Sequence, residues 1–299
     1  MEWITALKSA IAYIEENLET VSGADEVAEQ VHMSAFYLSR GFQIATGYSV
    51  GEYIRCRRLY EAAMRLSHQS GYRVIDAALD AGYETPESFS KAFARFHGFP
   101  PSEMKKNMNR FRIFRPLAIS IKVTGGDRME YRIEKKAAVT MIGFEREFKE
   151  DDSYKRIPEF WDEVLDRYGD DSVDEEGTGA LVRKAVAENG IGQYGICTDD
   201  KGDGVFSYMI AGEYSGGDVP EGLKLREIPA AEWAVFPCKG PLPEALQTVN
   251  TAIWKEWLPG NRDFELAGSY TIEWYSVSGD SKASDYESAI WIPVKEKTE

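Results

Sequence analysis

The chain has 299 residues, 43% of them hydrophobic and 28% charged, with a formal net charge of −15. That length favours two domains, each large enough to bury a core, and no apolar run approaches membrane-spanning length. Cys56, Cys197 and Cys238 are too few and too scattered for a disulfide framework, and they share no metal-ligand spacing with His32, His68 or His97. Free thiols in a reducing cytoplasm, no metal and no cofactor are expected.

The acidic balance is unevenly placed. Residues 1–115 hold 14 Lys/Arg and 14 Asp/Glu, and within them residues 32–115 hold 13 basic and 7 acidic, a net of +6. The other 21 of the 35 basic and 36 of the 50 acidic residues leave the remainder at −15. The basic stretch can meet phosphate, whereas the acidic remainder is repelled by it. Glu2, Glu15 and Glu16 fall in an amphipathic pattern at the start of the chain, so no signal peptide is expected.

Leu7, Ile11, Ile14 and Leu18 step by four, three and four, which predicts a helix over residues 3–18 with one buried face. Ser22 to Val31 predicts a short second helix with Ala24, Val27, Ala28 and Val31 inward. Ser34 is an N-cap candidate for a third helix that Gly47 can end, with Leu38 and Phe42 inward. Residues 24–47 thus read as a helix-turn-helix whose turn residue is His32. A left-handed backbone is uncommon for a non-glycine residue, though His tolerates it better than most.

Ser49 with Glu52 reads as a capping box opening a long helix to residue 68. Such a strut spans roughly 25 Å and could hold two recognition helices near one DNA turn apart, about 34 Å. Arg55, Arg57 and Arg58 lie on it, either as phosphate contacts or as a solvated helix face.

Val74, Ala77, Ala78 and Ala81 then give a short helix ending at Gly82, followed by ETPESFSKAFARFHGFPP over 84–101. Both ends of that second helix are written in the sequence. Thr85 can cap it and Pro86 suits its first position, while Gly98 and Pro100-Pro101 stop it. Phe89, Phe93 and Phe96 make an apolar stripe, and Glu87, Ser88, Lys91 and Arg95 face outward. Two short helices joined by a tight turn form a second helix-turn-helix, whose second helix suits the major groove.

The run VIDAALDAGYETPESFSKAFARFHGFPPSEMKK, residues 74–106, resembles the second helix-turn-helix of AraC/XylS-type transcription regulators. By that resemblance Phe36, Ser39 and Arg40 on the first recognition helix, and Pro86, Glu87, Ser88 and Lys91 on the second, match base-contacting positions. Chemically, Arg40 could take guanine and Gln43 adenine, and Phe36 could meet a thymine methyl or be partly buried. Pro86 can offer only shape, and Glu87 suits the helix dipole better than a base. Arg95 continues the outer face, and Arg55 and Arg58 complete the expected DNA-binding set. The family pattern usually has Gly at the first turn, where this chain has His32.

After Pro116 the pattern changes to period two. Strands are expected at Ala118–Val123 and Met129–Glu134 around Gly125-Gly126, and at Val139–Phe148. Helices follow at Tyr154–Tyr168 and 178–188, then strands at Gln193–Thr198 and Val205–Glu213. The order recurs as extended segments over Leu223–Cys238, a helix over Pro243–Trp257, and strands at Tyr270–Val277 and Tyr286–Val294. The fold expected is multidomain. An all-α double helix-turn-helix domain (1–110) is followed by a linker and leading strand (111–128) and an α+β domain (129–299) of two tandem strand-helix-strand-strand repeats. Such a duplication would pair two sheets and set its long helices side by side, leaving a ligand groove between the halves.

The segments MEYRIEKKAAVTMIGF, EFWDEV, QYGICTDD, FSYMIAGEY, AAEWAVFPCKG, YTIEWYSV and AIWIPVK resemble, in order and spacing, the gyrase-inhibitor-like effector-binding domain. The resemblance implies a pocket for small, often lipophilic and cationic molecules, with an acidic residue at the position of Glu273. Thr271, Glu273 and Tyr275 share one strand face, and Glu287 and Trp291 share a face on the next strand. Trp161, Tyr208, Trp233, Phe236 and Trp257 are candidate aromatic walls. A carboxylate among rings favours a cation, but an aromatic at such spacing is more often plain core, and Glu273 is equally readable as a solvated strand residue.

Two functions are compatible with this reading. The first is a cytoplasmic transcription regulator whose partners are double-stranded promoter DNA, a small effector and, as a further candidate, RNA polymerase, acting as monomer or dimer. The second is a small-molecule hydrolase fused to a DNA-binding module, with Glu273 activating water beside Tyr275 or Trp233. The sequence offers no Ser/His/Asp set, phosphate loop or metal cluster, so no catalysis is expected.

Overall fold

A computed structural model describes residues 3–119, 129–149, 152–169, 178–200 and 205–297. The chain divides into two compact units, Trp3–Val123 and Thr124–Glu299.

The first unit is helical: α1 (Trp3–Glu16), α2 (Ala24–Gln30), α3 (Ala35–Thr46), α4 (Val50–His68), α5 (Val74–Asp80) and α6 (Pro86–His97), then a 3-10 turn over Pro101–Lys106. The caps follow from side-chain chemistry. Ser34 accepts from the Tyr37 amide, Ser49 from Glu52 and Thr85 from Ser88, each supplying an acceptor that the helix start lacks. The α2–α3 and α5–α6 turns repeat one geometry. The Met33 amide donates to the Ala28 carbonyl at 3.0 Å, and the Tyr83 amide to Ala78 at 2.9 Å. His32 takes φ 55° and Gly82 φ 77°, so the first turn does hold a non-glycine residue in the left-handed region. Phe89 and Phe93 are fully buried with Leu59, Ala63, Ala77 and Met104, fixing α6 across α4 and α5.

The second unit contains β1 (Arg132–Lys136), β2 (Val139–Lys149), α7 (Ser153–Tyr168), α8 (Thr178–Asn189), β3 (Tyr194–Asp200), β4 (Val205–Glu213), β5 (Lys224–Ile228), β6 (Ala231–Lys239), α9 (Glu244–Ala252), β7 (Phe264–Leu266), β8 (Thr271–Tyr275) and β9 (Glu287–Glu296). The expected strand at Ala118–Val123 and its Gly125-Gly126 turn fall mostly outside the described residues. The long helix expected over Pro243–Trp257 is α9 continued by a π-turn at Ile253–Trp257.

The repeats do not make two paired sheets. One antiparallel sheet runs β1-β6-β9-β8-β3-β4-β2-β5, with β7 beside β9. The reason lies at its centre, where β3 and β8 share a ladder with Tyr194 opposite Trp274 and Ile196 opposite Ile272. The order is symmetrical about that ladder, and the leading strand of each half is exchanged: β1 pairs with β6, and β5 with β2. Met141 and Ile228 from one end of the sheet share a buried cluster with Trp233 and Val235 from the other, so the sheet curls around that face. The opposite face carries α7, whose Phe160 and Tyr168 pack on Phe148 and Phe144.

Candidate functional site

On the helix-bearing face, β8 presents Glu273 and Tyr275, β4 presents Tyr208 and α7 presents Trp161. Tyr208 Oη and Tyr275 Oη both donate to Glu273 Oε2, each at 2.8 Å. Trp161 Nε1 donates to Tyr208 Oη at 2.9 Å, and its ring meets that of Tyr275 edge-on at 5.0 Å. Tyr208 is fully buried and Glu273 is 9% exposed, while Trp161 and Tyr275 remain partly open. Burial, and then the adjacent carboxylate, push both phenols well above the ordinary tyrosine range, so they stay neutral donors. The result is an acidic group held by two fixed hydroxyls and walled by rings. That arrangement can receive a cation by charge and by ring-face attraction together.

The other expected wall residues separate. Phe236 lies on this face, packed edge-on against Trp257 at 4.9 Å, and Tyr131 joins that cluster. Trp233, Trp291 and Glu287 lie on the opposite face and are not part of the Glu273 constellation. Glu273 pairs across β9 with Ile290, so Trp291, one residue on, projects the other way. Trp233 and Trp291 instead pack together inside the curled sheet, with Lys136 Nζ over the Trp291 ring at 4.2 Å. Glu287 is exposed.

In the first unit, α6 leaves Glu87, Ser88, Lys91 and Arg95 exposed and Pro86 partly covered, as its stripe requires. On α3 only part of the expected surface is open: Arg40 and Gln43 are partly exposed. Phe36 is 4% exposed and Ser39 fully buried, so neither stands on an open reading face. An exposed phenyl ring forfeits about 2 kcal/mol of transfer free energy, and covering Phe36 avoids that cost.

The α4 arginines also differ from expectation. Arg55 is exposed, 3.9 Å from Glu52. Arg58 donates to the carbonyls of Leu18 at 2.6 Å and Val21 at 2.7 Å, just past the end of α1, where unpaired acceptors attract a cation. Arg57 is buried. It holds Glu15 through Nε and Nη2, Glu61 at 2.9 Å, and the Phe114 carbonyl at 2.9 Å. Arg57 and Arg58 are therefore tied to groups within the first unit and do not form a solvated helix face.

Residues 132–294 match the family described as integron-associated effector binding protein, Cass2. The chain belongs to the Cass2 family. Residues 27–107 match a helix-turn-helix domain, which is of the AraC type. YbfP of Bacillus subtilis, an uncharacterized HTH-type transcriptional regulator, is 33% identical over 111 residues, 37% of each chain, so the alignment spans little over a third of that relative. The regulatory protein SoxS of Escherichia coli K12 is 33% identical over 102 residues, 34% of this chain and 94% of SoxS. A solved structure of SAV2435 bound to tetraphenylphosphonium is 21% identical, covering 56% of this chain and 94% of that one, with a TM-score of 0.46.

Within the Cass2 domain, Gly195 of β3 is a site residue that sequence reasoning passed over. It pairs with Glu273, and a Cβ on it would stand 2.1 Å from Tyr208 Oη and 2.8 Å from Glu273 Oε2. The only trace in the sequence is a glycine inside a strand pattern, which marks close approach of another group. Phe114 was passed over as well. Its ring meets Tyr48 just past α3, Tyr53 on α4 and Phe96 on α6, at 5.3, 5.9 and 6.1 Å.

Proposed function

We propose that the chain is a one-component transcription regulator. Its AraC-type unit engages promoter DNA through α3 and α6, and its Cass2 domain takes a small aromatic or lipophilic cation against Glu273. The observation that carries this is the convergence of Tyr208 and Tyr275 on one oxygen of a carboxylate that is 9% exposed. Arg40, Gln43, Lys91 and Arg95 supply the DNA contacts, with Arg55 on a phosphate. Binding is favoured over hydrolysis because Glu273 Oε2 is already committed to two structural donors. Signal passes along the segment after the 3-10 turn. Phe114 touches Tyr48 in the turn between α3 and the strut, Tyr53 on the strut and Phe96 at the end of α6, and the Leu117 amide donates to Tyr53 Oη at 3.2 Å. An effector acts only by its differential affinity for the two arrangements.

The test is fluorescence anisotropy of the chain on the promoter fragment of its own gene, at fixed salt, with and without tetraphenylphosphonium. Coupling of about 1–3 kcal/mol is typical of allosteric pairs, so a shift of about fivefold or more in operator affinity is expected, and Phe114→Ala should reduce it without weakening binding of the cation. An operator affinity that ignores saturating cation would sink the proposal.

A further inference from the structure

The duplicated domain tests its own site, because each half shows what the other would look like without it. The register is the same on both sides of the β3–β8 ladder. Tyr194-Gly195-Ile196-Cys197 corresponds to Tyr270-Thr271-Ile272-Glu273, with Ile196 opposite Ile272 at the centre. Cys197 pairs with Tyr208 on β4 as Glu273 pairs with Ile290 on β9. Three positions therefore differ together: Glu273 stands where the other half has Cys197, Tyr208 where it has Ile290, and Gly195 where it has Thr271.

These differences are linked by reach. Tyr208 starts on β4 and must cross β3 to meet Glu273 on β8. The residue it crosses is Gly195, and any side chain there would collide with the phenol oxygen. In the other half the crossing point is Thr271, which is 2% exposed and whose Oγ1 has no hydrogen-bond partner. Its cross-strand neighbours, Cys197 and the Ile292 row, offer no carboxylate and no phenol. A glycine inside a central strand is otherwise unfavourable, so its presence calls for a local reason, and the path of the Tyr208 ring supplies one.

We propose that Gly195 is a positioning residue of the effector site, and that Gly195, Tyr208 and Glu273 together confine the domain to one cation site per chain, on one side of its internal two-fold. This rests on the function proposed above, but half of its test does not need a ligand.

The experiment is a double-mutant cycle in the full chain, with Gly195→Ala made alone and in a Tyr208→Phe background. Removing the phenol oxygen removes the most severe contact, at 2.1 Å, and leaves those at 2.8 Å to Glu273 Oε2 and 2.9 Å to Tyr208 Cζ. Gly195→Ala should therefore lower the melting temperature of the Cass2 domain in the natural background and lower it distinctly less in the Tyr208→Phe one. Equal loss in both backgrounds would show that the glycine serves something other than the Tyr208 ring. The Trp161 indole N–H resonance, assigned with Trp161→Phe, should move upfield in Gly195→Ala as its acceptor shifts, which a purely structural lesion elsewhere in β3 would not produce. In calorimetry with tetraphenylphosphonium, the natural chain should bind one equivalent. Gly195→Ala should bind at least about tenfold more weakly, since one fixed donor is displaced. Two equivalents, or an affinity for Gly195→Ala within twofold of the natural chain, overturns the inference. If the natural chain binds no cation at all, the effector reading fails, while the cycle and the indole signal still decide whether Gly195 seats Tyr208.

Discussion

Replacing Glu273 with Gln isolates the charge from the shape of the site. Gln keeps the volume and an acceptor for the two phenols, so the rings of Trp161 and Tyr275 should stay in place. What disappears is the full negative charge, which is 9% exposed and so poorly screened. A cation centred roughly 5 Å from the carboxylate gains about 3 kcal/mol at an effective dielectric of about 20. The ring contribution, about 0.5–2 kcal/mol, survives the change. Loss of about 3 kcal/mol corresponds to an affinity drop of about 150-fold. Calorimetry would compare tetraphenylphosphonium with neutral triphenylphosphine oxide. The cation should lose about two orders of magnitude, and the neutral compound should change little. If Glu273→Gln binds the cation within about threefold of the natural chain, the electrostatic reasoning is wrong. If both compounds weaken equally, the carboxylate is holding the shape of the site and not attracting charge.

Arg57→Met should destabilise the first unit by about 3 kcal/mol, because it strands Glu15 and the Phe114 carbonyl without their buried donor; chemical denaturation followed at that unit checks this. Lys91→Ala should weaken specific and non-specific DNA alike and reduce the slope of log affinity against log salt by about 0.9, whereas Arg40→Ala should cost about 1–3 kcal/mol of sequence discrimination. His97 is buried, its Nε2 is 3.1 Å from the Leu59 carbonyl, its Nδ1 is unpartnered, and burial first and Arg112 last hold its pKa below the ordinary 6.5. The unfolded imidazole takes up a proton that the folded one resists, so the first unit should lose stability as pH falls below about 6.5, and His97→Phe should flatten that slope. The sign reverses for Tyr208: its phenol is raised well above 10.0, so the stability it lends is complete below that pH and is lost as pH climbs past it. Thermal melts between pH 9 and 11 should show the decline, and Tyr208→Phe should reduce it.

The legible parts of the molecule were those specified by neighbours in sequence. Thr85, Pro86, Gly98 and the Phe89/Phe93 stripe fix α6 from within some fifteen residues, and His32 declared its left-handed turn by standing where a glycine is usual. The Glu273–Tyr275 face was legible for the same reason, since period two relates residues two apart on one strand. Period two cannot say which face of one strand lies level with which face of another. That needs register, and register placed Trp233 and Trp291 on the far side of the sheet from Glu273. The exchange of β1 and β5 was equally hidden, because a strand pattern carries no record of its partner. Gly195 and Arg58 share this difficulty. One serves a tyrosine that arrives from the next strand, and the other reaches carbonyls 37–40 residues back in the chain.

The arginine ties change what the basic excess of residues 32–115 means. Arg57 and Arg58 are consumed inside the fold, and Arg65 is shared between Glu19 and Asp80. Three of the 13 basic residues thus bind the strut to α1 and α5. Of the three only Arg57 is buried, and holding a buried charge this way is often no more stabilising than apolar packing would be, its best-attested benefit being a defined register. Here the register is that of α4, 19 residues and about 28 Å long, which sets the distance between the recognition helices. Charge spent on these ties is less available for phosphate, and on the function proposed above the exposed Lys91 and Arg95 supply contacts in its place. On the function proposed above, an effector coupling of about 1–3 kcal/mol would act on that spacing through the Phe114 ring, which meets the strut at Tyr53 and α6 at Phe96.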